Sequence, residues 1–361
     1  MGEGRQQSRF LCEIKGPLMA SSILTRCAVA AFASLSAMGG AWAETVEEFY
    51  KKRSELSVYV GSGAGGGFDE IARVFAVHFA RHLPGQPSPV VKNMPGAGGL
   101  LNVNFMYAQA PRDGSAIAAP FNTVFMLPLF GDPAAKFDER KFTWIGSLDK
   151  QTGTCVVWHT SNIRTLEDAS KREVQVGATG VNATPAIFSN LMNTLFGTRF
   201  KVISGYTTNE MRFALERGET EGVCGLAWQT YKAVQPGWIE NKLIRPIAQM
   251  GLVKNKDLPD VPLAIEMLKN PADHKVFELV VLPQEFGRPF IAPPGVPADR
   301  AAAMKQAFAK VLVDPAFLAD AAKIRLSIDP LTGDEIMNML NEAHKAPKEV
   351  IERAAKFSVV N

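Results

Sequence analysis

The sequence predicts an α/β protein, and three observations carry that prediction. Short β-prone runs alternate with segments of helical periodicity along the chain. Three of the strand candidates run directly into a glycine-bearing loop that opens a helix, around residues 61–67, 96–99 and 177–180. The roughly 318 residues that follow position 43 are enough for two domains of ordinary size.

The segment 1–43 reads differently from the rest. It holds four Lys/Arg and two Asp/Glu, the last charge being Arg26. The apolar run 27–37 is too short to span a bilayer, and Ala41-Trp42-Ala43 forms an A-x-A pattern before Glu44. Charged, apolar and small-residue regions in that order make a secretory signal peptide. The expectation is an exported protein, cleaved near Ala43. Met19 is a more ordinary start than Met1, and Arg26 before Cys27 does not suit a lipoprotein site.

The elements follow in chain order. Val58-Tyr59-Val60 is the first strand, and Ile71, Val74, Phe75 and Phe79 recur at helical spacing over 69–82, where Pro84-Gly85 stops the helix. Pro89-Val90-Val91 is a strand, followed by a second glycine loop and a helix over 99–109. Strands are expected at 115–119, 142–148 and 154–158, a helix at 165–170 and a strand at 174–178. Thr184 then reads as an N-cap and Pro185 as the first residue of a helix through 196. Strands at 200–204, 222–227 and 243–250 surround a helix at 209–217. A strand at 288–292 meets the stiff loop Pro293-Pro294-Gly295-Val296-Pro297, which feeds a helix at 298–313. Helices at 316–323, 333–345 and 347–357 complete the chain, the second opened by the capping box Thr332-x-x-Glu335.

Gly61, Gly63 and Gly66 make a literal G-x-G-x-x-G, the dinucleotide fingerprint. That reading requires an acidic residue some 20 positions on to hold a ribose. Between Glu70 and Asp113 the sequence has none, and Lys92 follows the next strand. No Gly-Lys-Ser/Thr closes a P-loop either, so no nucleotide cofactor is expected. What remains is general: consecutive glycines bring backbone N–H groups close to a ligand, and a helix N-terminus favours an anion. The bland alternative is a tight strand-to-helix turn. The loops at 96–99 and 177–184 repeat the arrangement, which suits an anionic ligand at the carboxyl ends of strands.

Other chemistry finds little support. After residue 43 there are 35 Lys/Arg and 34 Asp/Glu, so no basic excess points to nucleic acid or an anionic membrane. Two cysteines remain, Cys155 and Cys224, which either pair after export or stay as free thiols in strands. His78 and His82 are one helical turn apart, but no third metal ligand is near, so a solvated or capping role is expected. No Gly-x-Ser-x-Gly elbow occurs, and no acid–base pair stands out, so no catalytic residues are assigned. Arg73 is expected in a salt bridge, Arg288 is a candidate counter-ion, and Trp228 is expected to pack.

Taken in order, several motifs resemble one family. They are Gly65-Gly66-Gly67-Phe68-Asp69 with Ala72-Arg73, Asn93-x-Pro95-Gly96-Ala97-Gly98-Gly99, Asp113-Gly114 and Gly180-Val181 before Thr184-Pro185. Gly205-Tyr206, Gly218-Glu219, Leu258-Pro259-Asp260-Val261-Pro262 and Ala292-Pro293-Pro294-Gly295-Val296-Pro297 follow. Over essentially the whole exported chain the sequence is similar to the extracytoplasmic solute receptors of tripartite tricarboxylate transporters, the Bug-type receptors. The resemblance implies a two-lobed periplasmic binding protein of type II-like form, each lobe a mixed, mostly parallel sheet flanked by helices, with the cleft between them. Lobe 1 is expected to combine 44–121 with 251–361, and lobe 2 to span 122–250.

The resemblance also implies a small organic carboxylate ligand gripped by two pincer loops with bridging waters. Gly65, Gly66, Gly67, Phe68 and Asp69 form the first pincer, and Ala97, Gly98 and Gly99 the second. Asn122 and Thr123 lie at the cleft floor, and Gly180, Val181, Asn182, Ala183, Thr184, Tyr206 and Thr207 face them from the second lobe. A monomer that delivers its ligand to transporter membrane subunits is expected, with an orphan sensor for a membrane kinase or a secreted enzyme as alternatives. Several positions depart from the family pattern: Gly61-Ser62-Gly63-Ala64 replaces prolines, Ala186 replaces a common His, and Thr207-Thr208 follow Tyr206. These leave the ligand's identity open.

Overall fold

The computed structural model describes residues 44–180 and 183–358. The chain enters through helix α1 (Val46–Arg53), capped by Thr45 in a full capping box with Glu48. Two sheets then organise the molecule.

The first sheet has the order β11-β4-β10-β3-β1-β2. Its strands are β1 (Glu55–Val60), β2 (Ser88–Asn93), β3 (Ala116–Ala119), β4 (Thr143–Ser147), β10 (Pro289–Ala292) and β11 (Leu331–Thr332). β1 runs parallel to β2 and β3, while β10 is antiparallel to β3 and β4, and β11 to β4. The second sheet has the order β7-β6-β8-β5-β9. It contains β5 (Gly153–Trp158), β6 (Val174–Ala178), β7 (Phe200–Ser204), β8 (Gly222–Ala227) and β9 (Ile244–Met250). β6 is parallel to β7 and β8, and β5 is antiparallel to β8 and β9. Among the named strands, parallel pairing is confined to β2–β1–β3 and β7–β6–β8, with one further isolated parallel bridge between Gln249 and Leu263.

One strand departs from the expected division. Residues 143–147 were assigned to the second lobe, yet β4 pairs with β10 and β11 in the first sheet. Its side chains explain the placement. Trp144 is buried against Phe125 and Phe286, and a side chain at Gly146 would lie 2.4 Å from the Phe308 ring. The chain therefore passes between the sheets at 148–152, not near 121, and returns after Met250. Backbone bonds brace the first passage, among them Leu148 N–H to Arg288 O (3.1 Å), Gly287 N–H to Asp149 O (2.9 Å) and Gln151 N–H to Gln284 O (2.7 Å).

Helices cover both sheets. α2 (Gly67–His82), α10 (Ala298–Val311) and α11 (Pro315–Lys323) bury an aromatic cluster on the first sheet, with the Phe75 ring 3.9 Å from Phe290 and 5.8 Å from Phe308. α3 (Leu100–Ala108) connects β2 to β3. On the second sheet lie α4 (Leu166–Lys171), α5 (Thr184–Phe196), α6 (Thr208–Glu216), α7 (Trp228–Val234) and α8 (Pro236–Glu240). α9 (Pro271–Val281) was missed in the sequence, although Asn270 caps it and Pro271 opens it. α12 (Gly333–Ala343) begins at the predicted Thr332 box. The last helix, α13 (Lys348–Ser358), packs on α9 and on α5, so a C-terminal element reaches the second sheet's own helix.

Cys155 and Cys224 oppose each other in the β5–β8 register, and their sulfurs are bonded. The pairing left open by the sequence is thus present as a cross-strand link.

Candidate functional site

The carboxyl ends of β1, β2 and β3 lie side by side because the three strands are parallel neighbours. The loops that leave them are stitched together. Met94 N–H donates to Val60 O (2.8 Å), Gly61 N–H to Ala119 O (3.0 Å) and Asn93 Nδ2 to Ser62 O (3.0 Å). Gly65 through Asp69, Ala97 through Gly99, and Asn122 with Thr123 are thereby brought to one edge of the sheet.

The two pincer candidates leave backbone N–H groups uncovered. Gly66 caps α2 with extended φ −87°, and no side chain accepts from the first turn. Ahead of α3, Ala97, Gly98 and Gly99 take left-handed φ values of 46°, 64° and 93°, closed by Gly99 N–H to Gly96 O at 2.9 Å. A left-handed alanine costs about 1 kcal/mol or more, and such strain concentrates at functional loops. α3 also lacks a side-chain cap. Helices α1, α4, α6, α9, α11 and α12 are instead closed by Thr45, Thr165, Thr207, Asn270, Asp314 and Thr332. Uncovered helix amides beside one another make a receptive place for an anion. A Cβ at Gly63, Gly65, Gly67 or Gly98 would meet no atom within 4 Å, so these glycines border open space. Gly99 differs: a Cβ there would lie 2.8 Å from the Phe121 ring.

Asp69 holds the first loop rather than facing outward. Its buried carboxylate accepts from Gly65 N–H (2.9 Å), Arg73 Nε (2.9 Å) and Asn93 Nδ2 (2.7 Å). Burial pushes its pKa up, but the bonds from Arg73, Gly65 and Asn93 outweigh it and hold the carboxyl at about 2. Arg73 also donates to Asn93 Oδ1 at 2.9 Å, which is the salt-bridged role expected of it. Asn93 belongs to the second glycine motif and lies outside the site residues expected from the sequence; its contacts with Ser62, Asp69 and Arg73 make it the connector of both loops. Asn122 is likewise buried, with Nδ2 donating to Pro283 O at 2.6 Å. Thr123 is half-buried beside it.

A second group of loops gathers at the ends of β6 and β7. Tyr206 N–H donates to Ala178 O (3.4 Å), and Ala183 N–H to Gly180 O (3.1 Å). The cap of α5 is Ala183, with extended φ −81°, and not Thr184, which is already helical; Pro185 is second in the helix. The shift by one leaves α5 without a side-chain cap. Gly180 and Gly205 border open space. Thr207 is occupied: its hydroxyl accepts from Glu210 N–H and its own N–H donates to Glu210 Oε2 (2.7 Å). Tyr206 is half-buried with one ring edge near Gly177. Val181 and Asn182 lie outside the described residues.

The remaining candidates are settled by their partners. Arg288, the possible counter-ion, forms a buried ion pair with Asp149, and burial lowers its pKa to about 10. No local sequence feature points to that partner, which lies 139 positions away. His78 is not solvated as expected but buried, its Nε2 3.0 Å from Asp320, while His82 Nε2 meets Asp314 at 2.9 Å. Trp228 packs in the core near Tyr231. Among the described residues no group of three or more His, Cys, Asp or Glu could hold a metal ion. No described helix is long and apolar enough to cross a membrane.

Two mixed sheets flanked by helices, each with uncapped helix N-termini at the ends of parallel strands, form the arrangement in which open α/β sheets bind ligands. The chain belongs to the tripartite tricarboxylate transporter receptor family, whose model matches residues 71–355. It is 24% identical over 341 residues to the "UPF0065 protein in gbd 5'region" of Cupriavidus necator, covering 91% of this chain and 96% of that one. Among solved structures it is similar to a TctC solute-binding protein from Polaromonas, with a TM-score of 0.62, 18% identity and coverage of 80% and 95%. MatC of Rhodopseudomonas palustris, solved with bound malate, gives a TM-score of 0.60 and 16% identity over 82% of this chain and 99% of that one.

Proposed function

We propose that this protein is a periplasmic receptor that captures a small organic carboxylate and delivers it to the membrane subunits of a tripartite tricarboxylate transporter. The observation that carries the reading is the pairing of uncapped N-termini at Gly66 and Gly99, held together by Asp69, Arg73 and Asn93. Amides of residues 66–69 and 97–98 receive the carboxylate, directly and through bridging waters, with Asn122 and Thr123 below. The loops 180–184 and 206–207 close over it when the second sheet moves about the passages at 148–152 and after 250. Malate in the related R. palustris protein supports this ligand chemistry. The receptor acts as a monomer, does not transform its ligand, and begins at Glu44 after signal cleavage.

A thermal-shift and calorimetric panel of carboxylates on the exported protein tests the reading. A ligand at about 100 times its Kd adds roughly 2.7 kcal/mol of stability. Failure of every carboxylate to stabilise or bind the folded protein would overturn it.

A further inference from the structure

We infer that the ligand of this receptor is an aryl or alkyl carboxylate with an apolar body, rather than a hydroxy-di- or tricarboxylate. The inference rests on the carboxylate-receptor reading and deepens it.

The surface beside the two amide loops is hydrocarbon. Phe68 lies in the uncapped first turn of α2. Its ring meets Phe121 edge to face, with centroids 4.7 Å apart, and both rings are only half-buried. Phe121 in turn packs on Gly99 of the second loop. At the far side of that loop Leu101 is 53% exposed and lies against Gly96. Phe68, Phe121 and Leu101 therefore frame both glycine loops with apolar surface, where an aromatic or aliphatic body gains by burial and by ring contact.

The charge bordering the loops points the same way. A second carboxylate or a hydroxyl taken from water needs a donor or cation of its own. The two arginines beside the loops are both engaged. Arg73 bonds Asp69 and Asn93, and Arg288, 5.8 Å from the Phe68 ring centre, is paired with Asp149. Asn122 donates one amide hydrogen to Pro283 O, and the Thr207 hydroxyl oxygen accepts from Glu210 N–H. At the loops of the first sheet, one carboxylate finds amides and the body beside it finds rings.

Calorimetry on the full exported protein with benzoate, phenylacetate, hexanoate, malate and citrate tests this. The first three are expected to bind about tenfold or more tighter than malate and citrate. Phe68→Ala, checked for native melting, should weaken benzoate and phenylacetate by about tenfold, whereas Phe68→Leu should restore most of the hexanoate affinity. Malate or citrate binding as tightly as the apolar acids overturns the inference and leaves the receptor reading standing. So does unchanged benzoate affinity in folded Phe68→Ala. Should that variant not fold, the wild-type ranking alone decides. Binding of none of the five acids overturns the inference, and the receptor reading falls with it only if the wider carboxylate panel fails too.

Discussion

Asn93 and Asp69 tie two loops from neighbouring strands into one unit: Asn93 Nδ2 donates to Asp69 Oδ1 at 2.7 Å, and Arg73 bonds both residues. Asn93 ends β2 and Asp69 lies in the first turn of α2, so the contact ties the first glycine loop to the strand that leads into the second. The geometry suggests why an acidic residue is tolerated beside a proposed anion site. Its charge is neutralised by Arg73, and its oxygens are consumed by the scaffold.

The Asp69 carboxyl is held at about 2, below the ordinary value near 3.9. A depressed folded pKa contributes stability that is fully present above the unfolded pKa and is lost as pH falls through the folded one. Asp69→Asn should therefore cost on the order of 1–2 kcal/mol at pH 6. The gap to wild type should shrink between about pH 4 and pH 2. Urea unfolding at several pH values measures it; a gap that stays constant down to pH 2 would show that the carboxylate's charge is not what matters.

Gly66 offers a cleaner test of the amide loop than Gly98. Gly98 sits at φ 64°, so any side chain there strains the backbone before it touches a ligand. Gly66 has extended φ −87°, and a Cβ would approach nothing closer than Gly63 O at 3.9 Å. Gly66→Val should leave the fold intact and lower carboxylate affinity by about tenfold or more, the loss of one charge-assisted hydrogen bond. Normal affinity in a folded Gly66→Val protein places the anion elsewhere.

The loops were legible in the sequence because each is a local event: a strand, small residues, then a helix. Arg73 pairing with its i−4 neighbour was legible for the same reason. What escaped depends on contacts far apart in the chain. Nothing near Arg288 announces Asp149, 139 positions away. Nothing within 143–147 tells that its partners are 289–292 and 331–332. The misplaced cap of α5 has another cause: Thr and Ala both accept extended φ/ψ, and Pro suits the second helical position as well as the first. His78 was misjudged because burial beside Asp320 depends on α11, more than 230 residues later.

The buried Arg288–Asp149 pair sets up a third prediction. The Asp149 side chain is 1% exposed and that of Arg288 12%. Removing one partner strands a buried charge, so Asp149→Ala should destabilise by about 3–5 kcal/mol. Replacing both with apolar residues, Asp149→Leu with Arg288→Met, should recover much of that loss. A denaturation double-mutant cycle reads the coupling. Equal stability of Asp149→Ala and wild type would mean that the pair does not brace the passage at 148–152.

The last prediction concerns where the folded domain begins. Thr45 N–H and hydroxyl both bond the Glu48 carboxylate, and Thr45 Oγ1 accepts from Glu48 N–H, which closes the first turn of α1. That helix is anchored by Tyr50, whose buried hydroxyl donates to Gly114 O at 2.8 Å, across 64 positions of chain. Cleavage after Ala43 keeps the capping box whole, whereas a cut two residues later deletes Thr45. Intact-mass measurement on the exported protein should therefore give a start at Glu44. A protein made from Val46 onward should lose about 0.5–2 kcal/mol, the worth of an N-cap. Tyr50→Phe, which leaves the Gly114 carbonyl without that donor, should cost about 1–3 kcal/mol. Unchanged unfolding midpoints in both variants would mean that α1 is dispensable and that the cleavage position is not constrained by folding.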